Sequence, residues 1–328
     1  MRFDNFVGNK EAKRILSAAV DNGRLAHALL IEGPQGSGRR TLARILARAL
    51  VCSGTDHPCG SCSACIKSAA HAHPDITEVG GDGAARSFHI DVIRTIRENA
   101  YILPNEAPRR IVILAGAHNM TEQAQNALLK ILEEPPAHLV FILTCESRTQ
   151  MLSTIQSRTV CVSLGAVSEE EGLPMLRQLL PDTPEEELSR ALAVYGGVIG
   201  QAVKGLQEGV FQRVNELAPQ IAEAVTASTA LDLLRLTAKL EKDKEAVAGV
   251  LGSLSLIFRD ALCLRAGANV MLSISPETAR KISAVLTREQ LMRLMETVDG
   301  LKTALLYNMN HSLFLTLLCA RLRTAAGR

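Results

Sequence analysis

The sequence has no tryptophan, and only three tyrosines and seven phenylalanines occur among its 328 residues. A surface on which nucleic-acid bases stack between aromatic rings is therefore not expected. An excess of one charge is also missing, since 36 lysines and arginines face 34 aspartates and glutamates and leave a formal net charge of +2. That balance excludes nucleic-acid binding driven mainly by a uniformly basic surface, because such binding needs many cations against phosphates.

Long apolar runs are absent as well, although 47% of the residues are hydrophobic. No apolar run approaches the roughly 18 residues of a membrane-spanning helix, and the opening residues 1–16 are too polar for a signal peptide. We therefore expect a cytoplasmic protein with aliphatic cores. At about 150 residues per domain, the length allows two or three domains.

The first half of the chain alternates short apolar runs with longer amphipathic stretches, which is typical of parallel strand–helix–strand units. This pattern predicts an α/β domain with a parallel sheet over residues 1–164. The predicted strands cover residues 28–31, 76–79, 111–114, 140–145 and 160–164. The predicted helices cover residues 41–52, 90–100, 122–134 and 149–157, and the third of them ends at Pro135 and Pro136.

After residue 164 the strand signals stop and helix-start signals accumulate. A glycine-rich break at residues 195–200 separates two short helices from a long helical remainder. We predict a small helical domain over residues 165–207 and a larger all-helical domain over residues 208–328. The candidate N-terminal caps are Ser168 with Glu171, Thr183 with Glu186 behind Pro184, and Asn310.

A glycine-rich loop follows the strand at 28–31 and reads GPQGSGRR at residues 33–40. It lies between a strand and a helix, where the phosphate-binding pattern G-x-x-x-x-G-K-[ST] belongs. Gly33, Gly36 and Gly38 allow backbone N–H groups to turn toward an anion, and a helix N-terminus favours negative charge. The alternative is a glycine turn that only joins the strand to the helix.

The residues that carry the chemistry of such loops differ here. Arg39 replaces the lysine that reaches the phosphates, and Arg40 replaces the hydroxyl residue that binds Mg²⁺, where a cation repels the metal. Thr41 offers a hydroxyl one residue later, but about 100° further round the helix. Ala115 and Gly116 stand where an acidic pair should follow the strand at 111–114. We predict no ATP hydrolysis by this chain, and leave open whether the loop binds nucleotide without magnesium.

Four cysteines follow the spacing C-x6-C-x2-C-x2-C, and four thiolates at such spacing can surround Zn²⁺ tetrahedrally. A structural zinc site is the prediction, because four cysteine ligands leave no open position for water. A redox C-x-x-C pair is the rival interpretation, and a nucleic-acid-binding module is another. His57, His71 and His73 are alternatives for one ligand. The predicted ligands are Cys52, Cys59, Cys62 and Cys65.

These residues, together with four other segments, resemble bacterial clamp-loader subunits of the AAA+ class over nearly the whole chain. The segments are FVGN at 6–9, RLAHALL at 24–30, NALLKILEEPP at 126–136 and Ser157-Arg158-Thr159. The resemblance implies an AAA+ domain over 1–164 with a zinc-binding insertion at 52–65. It also implies a helical lid at 165–207 and an oligomerising collar at 208–328.

Two clamp-loader subunits share this architecture, the ATP-hydrolysing motor (tau/gamma) and the delta-prime subunit. The degenerate loop and the missing acidic pair favour the delta-prime type, with an active motor subunit as the alternative. The resemblance then implies a ring with motor and delta subunits that loads the sliding clamp onto primed DNA for DNA polymerase III. Arg158 would be an arginine finger that acts in trans on a neighbour's ATP, with the alternative that it only caps the preceding helix.

Polar residues on the helix at 122–134 and at the end of the strand at 140–145 are also considered for a function. Lys130, Glu133 and Glu134 are expected on the solvated side of the helix at 122–134. Thr144 lies where the family places a nucleotide-sensing residue, a role in doubt without a magnesium site.

Overall fold

The computed structural model describes residues 1–80, 90–227, 229–241, 243–268, 271–305 and 310–328. They form two compact units, Met1–Val167 and Ser168–Arg328. The division of the second unit at residue 207 into lid and collar stays a prediction.

The first unit alternates helices with strands. Its 3-10 turns cover Ala117–Asn119 and Arg148–Gln150. In chain order its other elements are α1 (Lys10–Asp21), β1 (Ala28–Glu32), α2 (Arg39–Val51), α3 (Ser63–Ala69), β2 (Ile76–Gly80), α4 (Ile90–Asn99), β3 (Arg110–Ala115), α5 (Glu122–Glu133), β4 (Leu139–Cys145), α6 (Ser153–Gln156) and β5 (Val160–Ser163).

Within the described part of the chain, the five strands form one parallel sheet in the order β2-β3-β4-β1-β5. Helices cover both faces, and β4 is buried along its whole length, which explains its uninterrupted apolar sequence. Leu42 and Leu46 of α2 pack in one core with Ile31 of β1. Leu128 of α5 packs with Phe141 of β4 in the core on the other face. The predicted α/β fold with a parallel sheet is confirmed.

The secondary structure elements described in the second unit are all helices. Its elements are α7 (Glu169–Leu179), α8 (Glu185–Val194), α9 (Ile199–Gln207), α10 (Val210–Thr226), α11 (Leu231–Ala238), α12 (Lys244–Arg265), α13 (Pro276–Val285), α14 (Arg288–Leu305) and α15 (His311–Ala325).

The helix α12 qualifies the expectation that nothing in the chain could cross a membrane. By length and composition alone it is long and apolar enough, with a mean hydropathy of 1.7 over its most apolar window. That window is 61% buried inside the unit, where α12 packs against α8, α10, α13 and α14. Its fully buried Asp260 accepts hydrogen bonds from the backbone N–H groups of Leu272 and Ser273. These contacts are those of a core helix of the second unit.

All five predicted strands are present, but the helix predicted at 149–157 is wrong. Ser147 and Gln150 close a 3-10 turn, and Met151 is extended before α6 begins at Ser153. The N–H of Leu152 donates to the side chain of Gln125 instead of a helical carbonyl, at 2.9 Å. That tertiary hydrogen bond divides the segment.

Two of the three predicted caps are correct. The side chains of Ser168 and Asn310 accept hydrogen bonds from Glu171 N and Leu313 N. The cap at Thr183 is wrong, because α8 begins at Glu185 and the extended Pro184 itself precedes the first turn. Sequence reasoning also missed the helices α1 and α3.

Candidate functional site

The phosphate-loop segment joins β1 to α2, as predicted. Gly36 and Gly38 have φ angles of +83° and +87°, in the left-handed region that favours glycine. Gly38 is the N-cap of α2, and a Cβ atom there would lie 2.9 Å from the ring of Phe6. A Cβ atom on the buried Gly33 would lie 2.8 Å from the carbonyl oxygen of Leu164. The glycines therefore serve close packing of the loop as well as its turn.

The two arginines of the loop have different surroundings. Arg39 is only 7% exposed at the first position of α2. Arg40 forms an ion pair through Nε with Glu78 of β2, and Arg44, one turn further along α2, also binds Glu78 with N–O distances of 2.8 and 3.0 Å. Thr41 is exposed. The guanidinium at the magnesium-ligand position is thus held by a carboxylate of the sheet.

Glu78 belongs to the edge strand β2, and its half-buried side chain contacts Arg40 and Arg44 of α2. Burial alone would raise the pKa of this carboxyl, but the hydrogen bonds and charges of Arg44 and Arg40 outweigh it and lower the pKa below the usual 4.5. Sequence reasoning missed Glu78. The available signal was that residues 76 and 78 of a strand share one face and that Arg40 and Arg44 share one face of a helix.

The place of an acidic pair, at the end of β3, holds Ala115 and Gly116. Gly116 has a φ of +75°, and its N–H donates to the hydroxyl of Thr144 at 2.9 Å. Thr144 is only 3% exposed, and this hydrogen bond satisfies its buried hydroxyl oxygen. This corner contains a turn and a buried hydroxyl in place of two carboxylates.

The four cysteines converge as predicted. Their sulfur atoms all lie within 4.8 Å of one another, and they form a group that could hold a metal ion. The Cys59–Cys65 and Cys52–Cys62 sulfur distances are 4.0 and 3.9 Å. Sulfurs bound at about 2.3 Å to one tetrahedral ion lie about 3.8 Å apart, whereas a disulfide needs about 2.05 Å. The donor set fits a tetrahedral metal ion.

Local backbone structure aims the sulfurs at one point. Cys52 is the C-cap of α2, and Cys62 is the N-cap of α3, where its sulfur accepts the N–H of Cys65 at 3.4 Å. Gly60 turns the chain between Cys59 and Cys62 with a φ of +79°.

The electrostatics of these sulfurs also suits a cation. Backbone N–H groups, that of Ser53 foremost, lower the pKa of the Cys62 thiol to about 5. Burial raises the pKa of Cys65 to about 12, and a bound cation would favour its thiolate. In the described parts of the chain, no histidine joins the metal-binding group. His73 instead accepts the N–H of Asp75 through Nδ1 at 3.1 Å.

Arg158 lies between α6 and β5. Its Nη1 donates to the carbonyl of Thr154 at 3.1 Å and to the hydroxyl of Ser157 at 3.2 Å, and its Nη2 lies 2.8 Å from Oε1 of Glu133. The guanidinium thus does cap the C-terminal end of α6, as one interpretation of the sequence expected. Its side chain is 36% exposed.

Sheet register separates Arg158 from the phosphate loop of the same chain. In the parallel pair β1–β5, Leu29 lies opposite Val160 and Glu32 opposite Ser163. Arg158 therefore precedes the amino end of β5, whereas the loop follows the carboxyl end of β1. The amino and carboxyl ends of this strand pair are four residues apart, which is about 13 Å.

Comparisons with known proteins show which family the chain is similar to. The family described as "DNA polymerase III, delta subunit" matches residues 8–168. The DNA polymerase III subunit delta' of Haemophilus influenzae is 32% identical over 67% of this chain and 67% of its own length. The delta' subunit of Pseudomonas aeruginosa is 34% identical over 60% of this chain and 62% of its own.

The gamma/tau subunits are similar too. The DNA polymerase III subunit gamma/tau of Mycobacterium tuberculosis is 33% identical over 73% of this chain, which spans only 45% of that relative's length. The region that the family matches, residues 8–168, includes the sheet, the loop and the cysteine insertion of the first unit. The chain belongs to the AAA+ family of DNA polymerase III clamp-loader subunits.

Proposed function

We propose that this chain is a delta-prime-type subunit of a bacterial clamp loader, a ring member that does not hydrolyse ATP itself. The observation that carries the proposal is the ion pair of Arg40 with Glu78. A magnesium ion would need a hydroxyl where this guanidinium is, and carboxylates where Ala115 and Gly116 are. Both halves of a magnesium site are missing independently.

The catalytic contribution of the chain, on this proposal, is Arg158. Arg158 lies at the amino ends of the strands, whereas the phosphate loop of the same chain lies at their carboxyl ends. An arginine in that position is suited to a nucleotide bound on a neighbouring subunit. Its planar, permanently charged guanidinium stabilises charge that spreads over a transferring phosphoryl group. Gly33, Gly36, Gly38, Arg39, Arg40 and Thr41 would at most bind a nucleotide without turning it over.

The remaining parts of the proposal concern metal and partners. Cys52, Cys59, Cys62 and Cys65 would hold a structural Zn²⁺ with no open coordination position. The partners are the motor (tau/gamma) and delta subunits of the ring, the sliding clamp, and primed DNA reached through the assembled complex in the bacterial cytoplasm. The chain would be a non-catalytic subunit of the polymerase holoenzyme.

The second candidate function is an active motor subunit of the gamma/tau type. The similarity to gamma/tau subunits over 73% of the chain favours it. It would require Arg39 and the exposed Thr41 to replace the usual lysine and magnesium-ligating hydroxyl. The residues of the loop and of the β3 end argue for the first candidate.

The test of the finger is Arg158→Ala in a ring reconstituted with the motor and delta subunits of the same organism. We expect the ring to assemble and its ATPase, stimulated by clamp and primed DNA, to fall by about 10³-fold or more. Arg190→Ala, which removes a surface arginine paired with Glu186 on α8, is the matched control. Unchanged turnover of the Arg158 variant would contradict the proposal.

A further inference from the structure

Glu133 is the carboxylate that holds the guanidinium of Arg158. It is the last residue of α5, and Arg158 follows the end of α6, so the ion pair joins the carboxyl ends of two helices. A carboxylate at such a helix end is electrostatically unfavourable unless a cation is near. Arg158 supplies that cation, and the two side chains stabilise each other's position.

The contacts of Arg158 leave donors for a further anion. Thr154 and Ser157 accept hydrogen bonds from Nη1, and Glu133 forms an ion pair with Nη2, whereas a guanidinium carries five N–H groups. Two of the three contacts lie on α6 and its end, which is only four residues long. Glu133 supplies the contact from a different element and the only charged one among the contacts described.

A long arginine side chain loses much rotamer freedom when it is fixed, so unassisted fixing would oppose its delivery to a distant phosphate. A carboxylate that fixes the guanidinium in advance removes part of that cost from the reaction step. The side chains are 36% and 47% exposed, and the pair is therefore weak as a source of fold stability.

We propose that Glu133 is a positioning residue for Arg158: it presents the guanidinium for action on a neighbour's nucleotide. The inference rests on the proposed function of Arg158 in trans. It separates the role of Glu133 from that of Glu134, the next residue, which is exposed at the end of α5.

The experiment compares Glu133→Ala, Glu133→Gln and Glu134→Ala in the reconstituted ring with clamp and primed DNA. We expect Glu133→Ala to lower kcat about tenfold, less than loss of the finger itself, with the KM for ATP changed less than twofold. Glu133→Gln should recover only a minor part of that loss, because the amide keeps the size of the side chain but not the charge that forms the ion pair. Glu134→Ala should match the unmodified ring, and Tm should be unchanged in all three.

The double variant Glu133→Ala/Arg158→Ala distinguishes positioning from an independent effect. It should be no slower than Arg158→Ala alone, because Glu133 acts only through Arg158. Normal or faster turnover of Glu133→Ala, or an additive loss in the double variant, would overturn the inference. If Arg158→Ala lowers turnover while Glu133→Ala does not, only this inference fails. If Arg158→Ala is itself without effect, the proposed finger fails.

Discussion

The helix α2 begins at a phosphate loop and ends at a cysteine cluster, and its two ends differ in what they retain. At the first end Gly38 caps the helix, and the loop has kept its backbone shape but has arginines at its chemistry-bearing positions. At the other end Cys52 caps the helix, and all four candidate ligands of a metal site are present and close together. The loop has the glycines of a phosphate-binding loop but not its lysine and its magnesium-ligating hydroxyl. The cysteine cluster, in contrast, has all four side chains that a tetrahedral metal site needs.

The difference follows from what each set of residues does for the fold. Gly33 and Gly38 are packed so closely against Leu164 and Phe6 that no Cβ atom fits without movement. The glycines are therefore needed even where no nucleotide is turned over. Lysine, hydroxyl and acidic residues have no such structural role, and Arg40 has acquired one through Glu78.

Breaking the cysteine cluster should have the largest effect on the protein. We expect Cys62→Ser/Cys65→Ser to lose one equivalent of zinc and to lower Tm by roughly 10 °C. Zinc binding contributes about 10–16 kcal/mol in zinc-finger peptides, and we expect several kcal/mol of that kind to couple to the first unit here. Metal analysis and thermal unfolding test this. Cys263→Ser, outside the cluster, is the control, and a metal-free wild-type chain of unchanged stability would refute the zinc site.

The phosphate loop is next in expected effect. Gly38→Ala should destabilise the first unit by about 2–3 kcal/mol, because a φ of +87° strains alanine and the new methyl group meets Phe6. Gly23→Ala is the matched control, since Gly23 also has a positive φ but nothing lies within 4 Å of its Cβ position. Denaturant unfolding should give a smaller loss for Gly23, about 1 kcal/mol. Equal losses would show that packing against Phe6 is unimportant.

The ion pairs of Glu78 with Arg40 and Arg44 should make the stability of the first unit depend on pH. The pKa of Glu78 is lowered in the folded state, so its contribution is present above its unfolded pKa, near 4.5, and is lost as pH falls through the folded value. Glu78→Gln should therefore cost about 1–2 kcal/mol at pH 7 and less at pH 3. Glu106→Gln, which breaks an exposed pair with Lys67, should cost under about 0.5 kcal/mol. Unfolding at several pH values measures both, and a pH-independent cost would contradict this role of Glu78.

Restoring the consensus loop should have the smallest effect on turnover. Arg39→Lys/Arg40→Thr returns a lysine and a hydroxyl, but ATP hydrolysis should remain at background because Ala115 and Gly116 supply no carboxylates. Gly116 is left-handed and its N–H is bound to Thr144, so this corner is not shaped for an acidic side chain. A steady-state ATPase assay with Mg²⁺ measures it. Clear turnover by the double variant would show that the loop alone limits activity.

Much of the fold could be predicted from the sequence because the strands are short apolar runs within a buried sheet. The apolar residues of β1 and β4 are buried along the strands, and this leaves little freedom in where the two strands begin and end. The structure of the segment 149–157 could not be predicted, because the N–H of Leu152 donates a hydrogen bond to Gln125 of α5 and this contact interrupts the helix. Such a contact leaves no periodic signal in the local sequence.

The candidate site was predictable where residues of one segment form it. The cysteine spacing predicts convergence correctly, because three of the four lie within seven residues. The carboxylates of Glu78 and Glu133 were not recognised as partners of Arg40 and Arg158. Each pair joins elements that are separate in the sequence, and only the sheet topology and helix packing bring them together.

ATP turnover by the purified chain alone, with and without Mg²⁺, tests most directly whether the chain is a subunit that does not hydrolyse ATP. The protein concentration should be one at which a motor subunit would give a clear signal. We expect no magnesium-dependent hydrolysis, whether or not nucleotide binds. Magnesium-dependent turnover that survives removal of contaminating ATPases would contradict it, and would make the chain a motor of the gamma/tau type.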